Sequence, residues 1–468
     1  MSAASSPKSS PRPSAEISVS APAVSPGRDD RPLSLTEFSS LLSACFPGNP
    51  PPKPNSFLIA VSGGPDSLAL LRLAALSQNP NWCFAAATVD HGLRPEAACE
   101  ARYVAKLCRA WAIPHQTLSW TGWDGTGNLQ AEARAARYRL LTSHAEEIGA
   151  SAVIVAHHRQ DQRETHCLAK ARGHQGARLA GMRAARDLAP GVKLLRPFLS
   201  IDPARLAALL RKEGIEAVAD PSNQDRRFAR VALREDLARY DVEQLAEIDQ
   251  AIVRACEQRR EEMGRLAAVI AWLDAAGALV FEVSGRVRLD CDAFETGERE
   301  VRRALLSRLL TAAGGAPEAP DRDKVTRLER ALDGCEVAFV RTLGGARVSF
   351  TPGPGTRKGT LVFEREFGRK GPPSVRVSNG LRRYLFDERF DIVLSDEEAE
   401  EAGWILPLGA LGRGNLHDKT LPCLVDRSGA LIAAHPLLAD KLERPSFSNA
   451  FSRLAWRFGA DLHADAQR

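Results

Sequence analysis

Residues 56–67 read SFLIAVSGGPDS, and the segment that follows, PDSLALLRLAAL, has helical spacing. A short apolar run bounded by turn residues is a buried strand, so the stretch reads as strand, tight turn, helix. Gly63 and Gly64 lack a Cβ, which lets the backbone turn sharply and approach a ligand closely. Pro65 suits the first helical position, where its missing N–H costs nothing. Free N–H groups at the helix start then form an anion site, and Ser62 and Ser67 add hydroxyl donors. Asp66 is the odd member. A carboxylate beside a phosphate repels it unless a cation bridges the two, so Mg2+ is expected at Asp66. The plain alternative is a glycine turn that merely caps a helix. The complete SGGxDS, placed between strand and helix, favours phosphate binding. No GxxxxGK[ST] is present, so this is not a Walker loop.

Outward from this turn the pattern repeats. CFAAATVD (83–90), HQTLSW (115–120) and AVIVAHH (152–158) are further strand candidates. Helical PEAACEARYVAKLCRAW and NLQAEARAARYRLLTSHAEEIG lie between them, and KLLRPFL with DPARLAALLRKEG makes a fifth unit. Repeated βα units imply an α/β class, a Rossmann-like parallel sheet with helices on both faces. In such sheets ligands bind beyond the carboxyl ends of the strands, which is where SGGPDS sits. LSLTEFSSLLSACF (33–46) opens the folded region, giving a nucleotide-binding catalytic domain over 33–238. From about residue 242 the pattern becomes one or two long helices, a short hairpin and another helix, so 239–350 is read as a helix-rich domain. Short strands separated by Gly and Pro make 351–468 a small α+β C-terminal domain. Residues 1–32 are rich in Ser, Pro and Ala, lack the apolar core of a signal peptide, and read as a disordered tail.

Composition narrows the class. A net charge of +5 does not by itself argue for nucleic acid, but the cations are mostly arginine and they cluster. Nine scattered cysteines (45, 83, 99, 108, 167, 256, 291, 335, 423) form no CxxC. A disulfide scaffold or thiolate metal site is therefore not expected, and a reducing, cytoplasmic setting is. No apolar stretch is long enough to span a bilayer, so no membrane partner is expected.

Four further stretches carry chemistry: VDHGLR (89–94), NLQAEARAARY (128–138), AHHRQDQRET (156–165) and DPSNQDRRFARVALR (220–234). SGGxDS resembles the PP-loop ATP pyrophosphatases, and with these four stretches the chain resembles the tRNA(Ile)-lysidine synthase family, strongly over 56–234 and more loosely beyond. The resemblance implies a ligase forming a carbon–nitrogen bond. ATP is cleaved between its α and β phosphates, and AMP activates the wobble cytidine of tRNA(Ile) with anticodon CAU. Free L-lysine then displaces AMP. ATP and Mg2+ are the implied cofactors, and the helical and C-terminal domains are implied to bind tRNA. A homodimer is left open.

Residue roles follow from the resemblance. Ser62, Gly63, Gly64, Pro65, Asp66 and Ser67 cradle the nucleotide. His157, Asp161 and Glu164 are candidates for capturing lysine. The two acids stand three apart on a helix and share a face. The plain reading of each acid is dipole complementation at a helix start. Arg137, rather than Arg134, is favoured for neutralising the adenylate phosphate, beside Tyr138. Asp90, His91 and Arg94 flank the nucleotide, unless one of them simply caps the helix near Pro95. Lys170, Arg172, Arg178, Arg183, Arg186, Arg196, Arg226, Arg227, Arg230 and Arg234 form a basic cluster suited to tRNA phosphate, with RGHQGARLAGM (172–182) a loop over the site.

The chain departs from the family pattern in three places. Gln160 replaces an aspartate, His174-Gln175 replaces Ser-Gly, and Val231 replaces an asparagine. Two alternatives compete with the ligase reading: a PP-loop tRNA thiolase, which the absence of CxxC opposes, and a tRNA-binding relative that has lost catalysis.

Overall fold

A computed structural model describes residues 19–20, 30–46, 55–93, 96–120, 128–218, 229–316, 318–333, 335–353, 359–377, 382–447 and 449–459. Most of the expected tail, together with Arg94, Pro95, Arg226 and Arg227, lies outside the described residues. The chain divides into two compact units, Met1–Arg260 and Glu261–Ala466.

The first unit is built on a six-stranded sheet. Its strands are β1 (Asn55–Ala60), β2 (Trp82–Asp90), β3 (His115–Ser119), β4 (Ala152–Ile154), β5 (Ala185–Ala189) and β6 (Val192–Leu195), in the order β3-β2-β1-β4-β6-β5. All neighbours are parallel except the edge pair β5–β6, which is an antiparallel hairpin. Side-chain alternation explains why β1 reads as a continuous apolar run: both of its faces are covered. Phe57, Ile59 and Val61 pack into one core with helices α2 (Pro65–Leu76) and α6 (Pro203–Glu213). Leu58 and Ala60 pack into another with α4 (Leu129–Glu147), through Leu141 and Ala145. The remaining helices are α1 (Leu35–Ala44), α3 (Ala97–Ala110), α5 (Arg159–Ala171) and α7 (Ala229–Leu237), with a short strand β7 (Ala217–Val218). The periodic segment after residue 242 is a single helix, α8 (Val242–Ala275).

The second unit holds a five-stranded antiparallel sheet of β8 (Leu279–Phe281), β9 (Val287–Asp290), β10 (Phe339–Leu343), β11 (Ala346–Pro352) and β12 (Gly359–Arg365), in the order β10-β11-β12-β9-β8. It packs on helices Arg299–Gly314 and Arg322–Leu332. Two smaller antiparallel sheets follow, one of four strands and one of three. Glu364 on β12 is buried and faces Arg286 Nε at 2.9 Å, His417 Nδ1 at 3.2 Å, and Arg347. Burial alone would raise its pKa, but the hydrogen bonds from His417, Arg286 and Arg347 outweigh burial and lower it from 4.5 to about 2. A carboxyl depressed in the folded state stabilises above its unfolded value and loses that contribution as pH falls through the folded one. Glu364→Gln is therefore expected to flatten the loss of stability between pH 4.5 and about 2. Urea unfolding followed by tryptophan fluorescence measures this; parallel curves for parent and variant would remove Glu364 from the acid transition.

Candidate active site

The chain winds outward from β1 through β2 to β3, then returns to place β4 and β6 on the other side of β1. Strand order thus reverses between β1 and β4, the position where an open α/β sheet presents its crevice. SGGPDS leaves the carboxyl end of β1 and AHHRQD leaves that of β4.

The turn after β1 is built as its residue types require. Gly63 has φ +84°, a conformation that disfavours a side chain, and its carbonyl accepts from Val218 N at 3.0 Å. A Cβ at Gly63 would stand 3.2 Å from Val218 Cγ2. Gly64 caps α2 without a side chain, and Pro65 occupies the first turn. The Ser67 hydroxyl donates to Gly64 O at 2.9 Å and accepts from Ser62 N at 3.2 Å, with Ser62 Oγ 3.3 Å away. Buried Ser67 therefore shapes the turn, and Ser62 is the exposed serine of the pair.

Asp66 and Asp161 meet across one imidazole. His158 caps α5: its N–H donates to Asp161 Oδ2 at 2.9 Å, and its ring nitrogens stand 3.4 Å from Asp66 Oδ2 and 3.5 Å from Asp161 Oδ2. Burial works against the charged ring, but the hydrogen bond to Asp66 and the charges of Asp66 and Asp161 prevail and raise its pKa above 6.5. His158 was not singled out from the sequence. The available signal was strand alternation, which turns the adjacent His157 and His158 to opposite sides.

Glu164 is 0% exposed. Arg234 on α7 grips it with two prongs, Nε to Oε1 at 2.7 Å and Nη2 to Oε2 at 3.3 Å, and reaches to 4.0 Å from Asp161. Arg230, one turn earlier, donates to Thr165 Oγ1 at 3.1 Å. Glu164 thus lies behind the mouth, holding α7 against α5, while Asp161 stays at its edge.

His157 belongs to a second cluster. Arg196 Nε donates to His157 Nδ1 at 3.3 Å. Tyr138 on α4 lies between guanidiniums, with Arg134 5.2 Å and Arg186 5.1 Å from its ring centre. Burial pulls Arg137 below its ordinary pKa. Burial also lowers the pKa of His91, and the charge of Arg137 adds to that effect. His91 packs edge-on against Trp120, and Asp90 accepts from Gly92 N at 2.9 Å, so Asp90 caps its own turn. Of the predicted basic cluster, Arg196 is buried and Arg230 and Arg234 are exposed but bonded to Thr165 and Glu164, and Lys170, Arg172 and Arg178 are also exposed.

The end of segment 172–182, at residues 180–182, is held from both sides. Gln162 on α5 bonds both Met182 N at 2.6 Å and Met182 O at 2.9 Å, and Gly181, at φ +64°, leaves room for that amide. From α8, Arg259 donates to Gly181 O at 3.0 Å and Cys256 Sγ lies 3.4 Å from Ala180 O. Arg163 on α5 pairs with Asp249 on α8 at 2.6 Å.

The PP-loop domain model matches residues 36–240, a span that contains the turn after β1, the start of α5 and Arg234, but not Asp249, Cys256 or Arg259. A tRNA(Ile)-lysidine synthase of Rhodopseudomonas palustris is 39% identical over 353 residues, covering 69% of this chain and 94% of that protein. The chain belongs to the tRNA(Ile)-lysidine synthase family. Another lysidine synthase, from Methylobacterium nodulans, is 38% identical over 70% of this chain and 98% of its own length. That of Rhizobium meliloti is 32% identical over 81% and 82%. The departures at Gln160, His174 and Val231 fall on partly buried positions that leave the Asp66–His158–Asp161 bridge intact. Gly173 keeps a φ of +76° with open space where a Cβ would stand. No helix among the described residues is long and apolar enough to cross a membrane.

Proposed function

We propose that the chain joins free L-lysine to the wobble cytidine of tRNA(Ile) in an ATP-dependent reaction in the cytoplasm. The observation that carries this reading is the Asp66–His158–Asp161 bridge, which sets the phosphate turn of β1 and the acidic start of α5 in one mouth. The cytosine 2-carbonyl oxygen is a poor leaving group. It attacks the α-phosphorus of ATP, forming a P–O bond as the α–β bond breaks and pyrophosphate leaves. The ε-amine of lysine then bonds to C2, the C2–O bond breaks, and AMP departs with both electrons. The amine loses a proton to a nearby base.

The backbone N–H groups at the start of α2 and the Ser62 hydroxyl bind the phosphates. Arg137 neutralises charge developing on the adenylate. Asp161, at the edge of the mouth, holds the lysine ammonium and receives its proton. Glu164 fixes Arg234 beside Asp161. Among the described residues there is no group of three or more His, Cys, Asp or Glu side chains placed to hold a metal. The single Asp66 carboxylate beside the phosphate turn fits Mg2+, which takes one or two protein carboxylates and completes its shell with phosphate and water. Asp66 is the residue that holds it, and the ion supplies neutralisation of phosphate charge when bound. The exposed Lys170, Arg172 and Arg178 serve tRNA phosphate.

The purified protein, incubated with ATP, Mg2+, labelled lysine and tRNA(Ile) bearing CAU, is expected to incorporate label into that tRNA alone. Tight tRNA binding without incorporation would favour a binding-only relative. Incorporated sulfur would favour a thiolase.

A further inference from the structure

We infer that Arg196 is a positioning residue that fixes His157 with its proton on Nε2, so that His157 meets the substrates as a hydrogen-bond donor and leaves proton removal to a carboxylate. The inference rests on the ligase reading only for the identity of those substrates.

Arg196 cannot follow a moving partner. It sits directly after β6 and is buried. Its backbone N–H donates to Ala184 O at 2.7 Å and its Nη1 to Arg183 O at 2.8 Å, so both ends are tied to the β5–β6 hairpin. Guanidinium nitrogens are donors only. The Nε contact to His157 Nδ1 therefore requires a lone pair on Nδ1, and a neutral ring then carries its hydrogen on Nε2. Burial, followed by the charge of Arg196 and opposed by Asp161, lowers the His157 pKa to about 3. Accepting a proton at Nδ1 would break the Arg196 bond and add a cation beside Arg134, Arg137 and Arg196. Among the described residues Nε2 has no hydrogen-bond partner, so its N–H is available to an anionic oxygen such as that of the adenylate phosphate. Asp161, on α5, is then the nearer choice of base for the lysine ammonium.

The test is nitrogen NMR of full-length protein labelled with 15N-histidine, with His157 assigned from its loss in His157→Gln. At neutral pH the expected result is a single tautomer, pyridine-type at Nδ1 and pyrrole-type at Nε2. In Arg196→Met the His157 signals should move to a mixture of tautomers, a change that mere loss of packing would not produce. A proton on Nδ1 or on both nitrogens in the parent would overturn the inference, as would an unchanged tautomer in Arg196→Met. If Arg196→Met does not fold, the parent spectrum still decides. In turnover, His157→Phe should lose about 10²-fold, the usual cost of one donor to a reacting oxygen. His157→Gln, which keeps an N–H near the Nε2 position but no base, should lose distinctly less; equal losses would count against the donor role. Failure of the ligase reading would appear separately, as no lysine incorporation by a parent protein whose tautomer is as stated.

Discussion

Asp66→Ala is expected to lower release of AMP and pyrophosphate by about 10³-fold, the scale of losing a metal-anchoring or charge-stabilising group at a reacting phosphate. Binding of tRNA should persist. The residue lies in the first turn of α2, immediately after the phosphate cradle, and its carboxylate is only one-third exposed, turned towards His158. The proposed mechanism gives this side chain two functions: anchoring the cation that accompanies the nucleotide and tying the phosphate turn to the start of α5. Asp66→Asn separates them. It retains a polar contact to His158 but not the charge, so it should be nearly as inactive as the alanine variant. Pyrophosphate release and filter binding of tRNA measure the two quantities. Substantial activity in Asp66→Asn would remove the cation-anchoring role and leave only the tie.

Arg234→Ala should be the most destabilising change in the site, costing about 3 kcal/mol, because it strands a wholly buried carboxylate without its partner. The figure belongs at the low end for buried pairs, since Arg234 itself is 45% exposed. Replacing both members, as Glu164→Gln with Arg234→Met, should recover much of the stability, as such paired replacements often do, while activity stays low because nothing then stands beside Asp161. Urea unfolding of the single and double variants tests this. If Arg234→Ala is as stable as the parent and only its lysine requirement rises, Glu164 is a lysine contact after all and not the pin between α5 and α7.

The parallel sheet and its ligand-bearing edge were legible because their signals are local. An apolar run covered on both faces, a pair of glycines and a proline at a helix start each declare themselves within a few residues. Asp66, Asp161 and His157 are picked out as candidates the same way, from motifs at the ends of β1 and β4. What the sequence concealed were relations between distant segments. Nothing near residue 164 says that Arg234, seventy positions later, closes over it, so the sequence shows Glu164 as a candidate but not its burial or its partner. Nothing near residue 196 says that its guanidinium, counted among surface cations, reaches a histidine on the neighbouring strand. His158 stood beside the chosen histidine, and only the fold distinguishes which of the two bridges the acids. Ser67 likewise has a hydroxyl suited to phosphate, but its geometry commits that hydroxyl to the turn.

The clamping of residues 180–182 by Gln162 on one side and by Arg259 and Cys256 on the other has a kinetic consequence. Residues already fastened from two helices have little conformational entropy left to lose when a ligand arrives. No closing step is then contributed by residues 180–182.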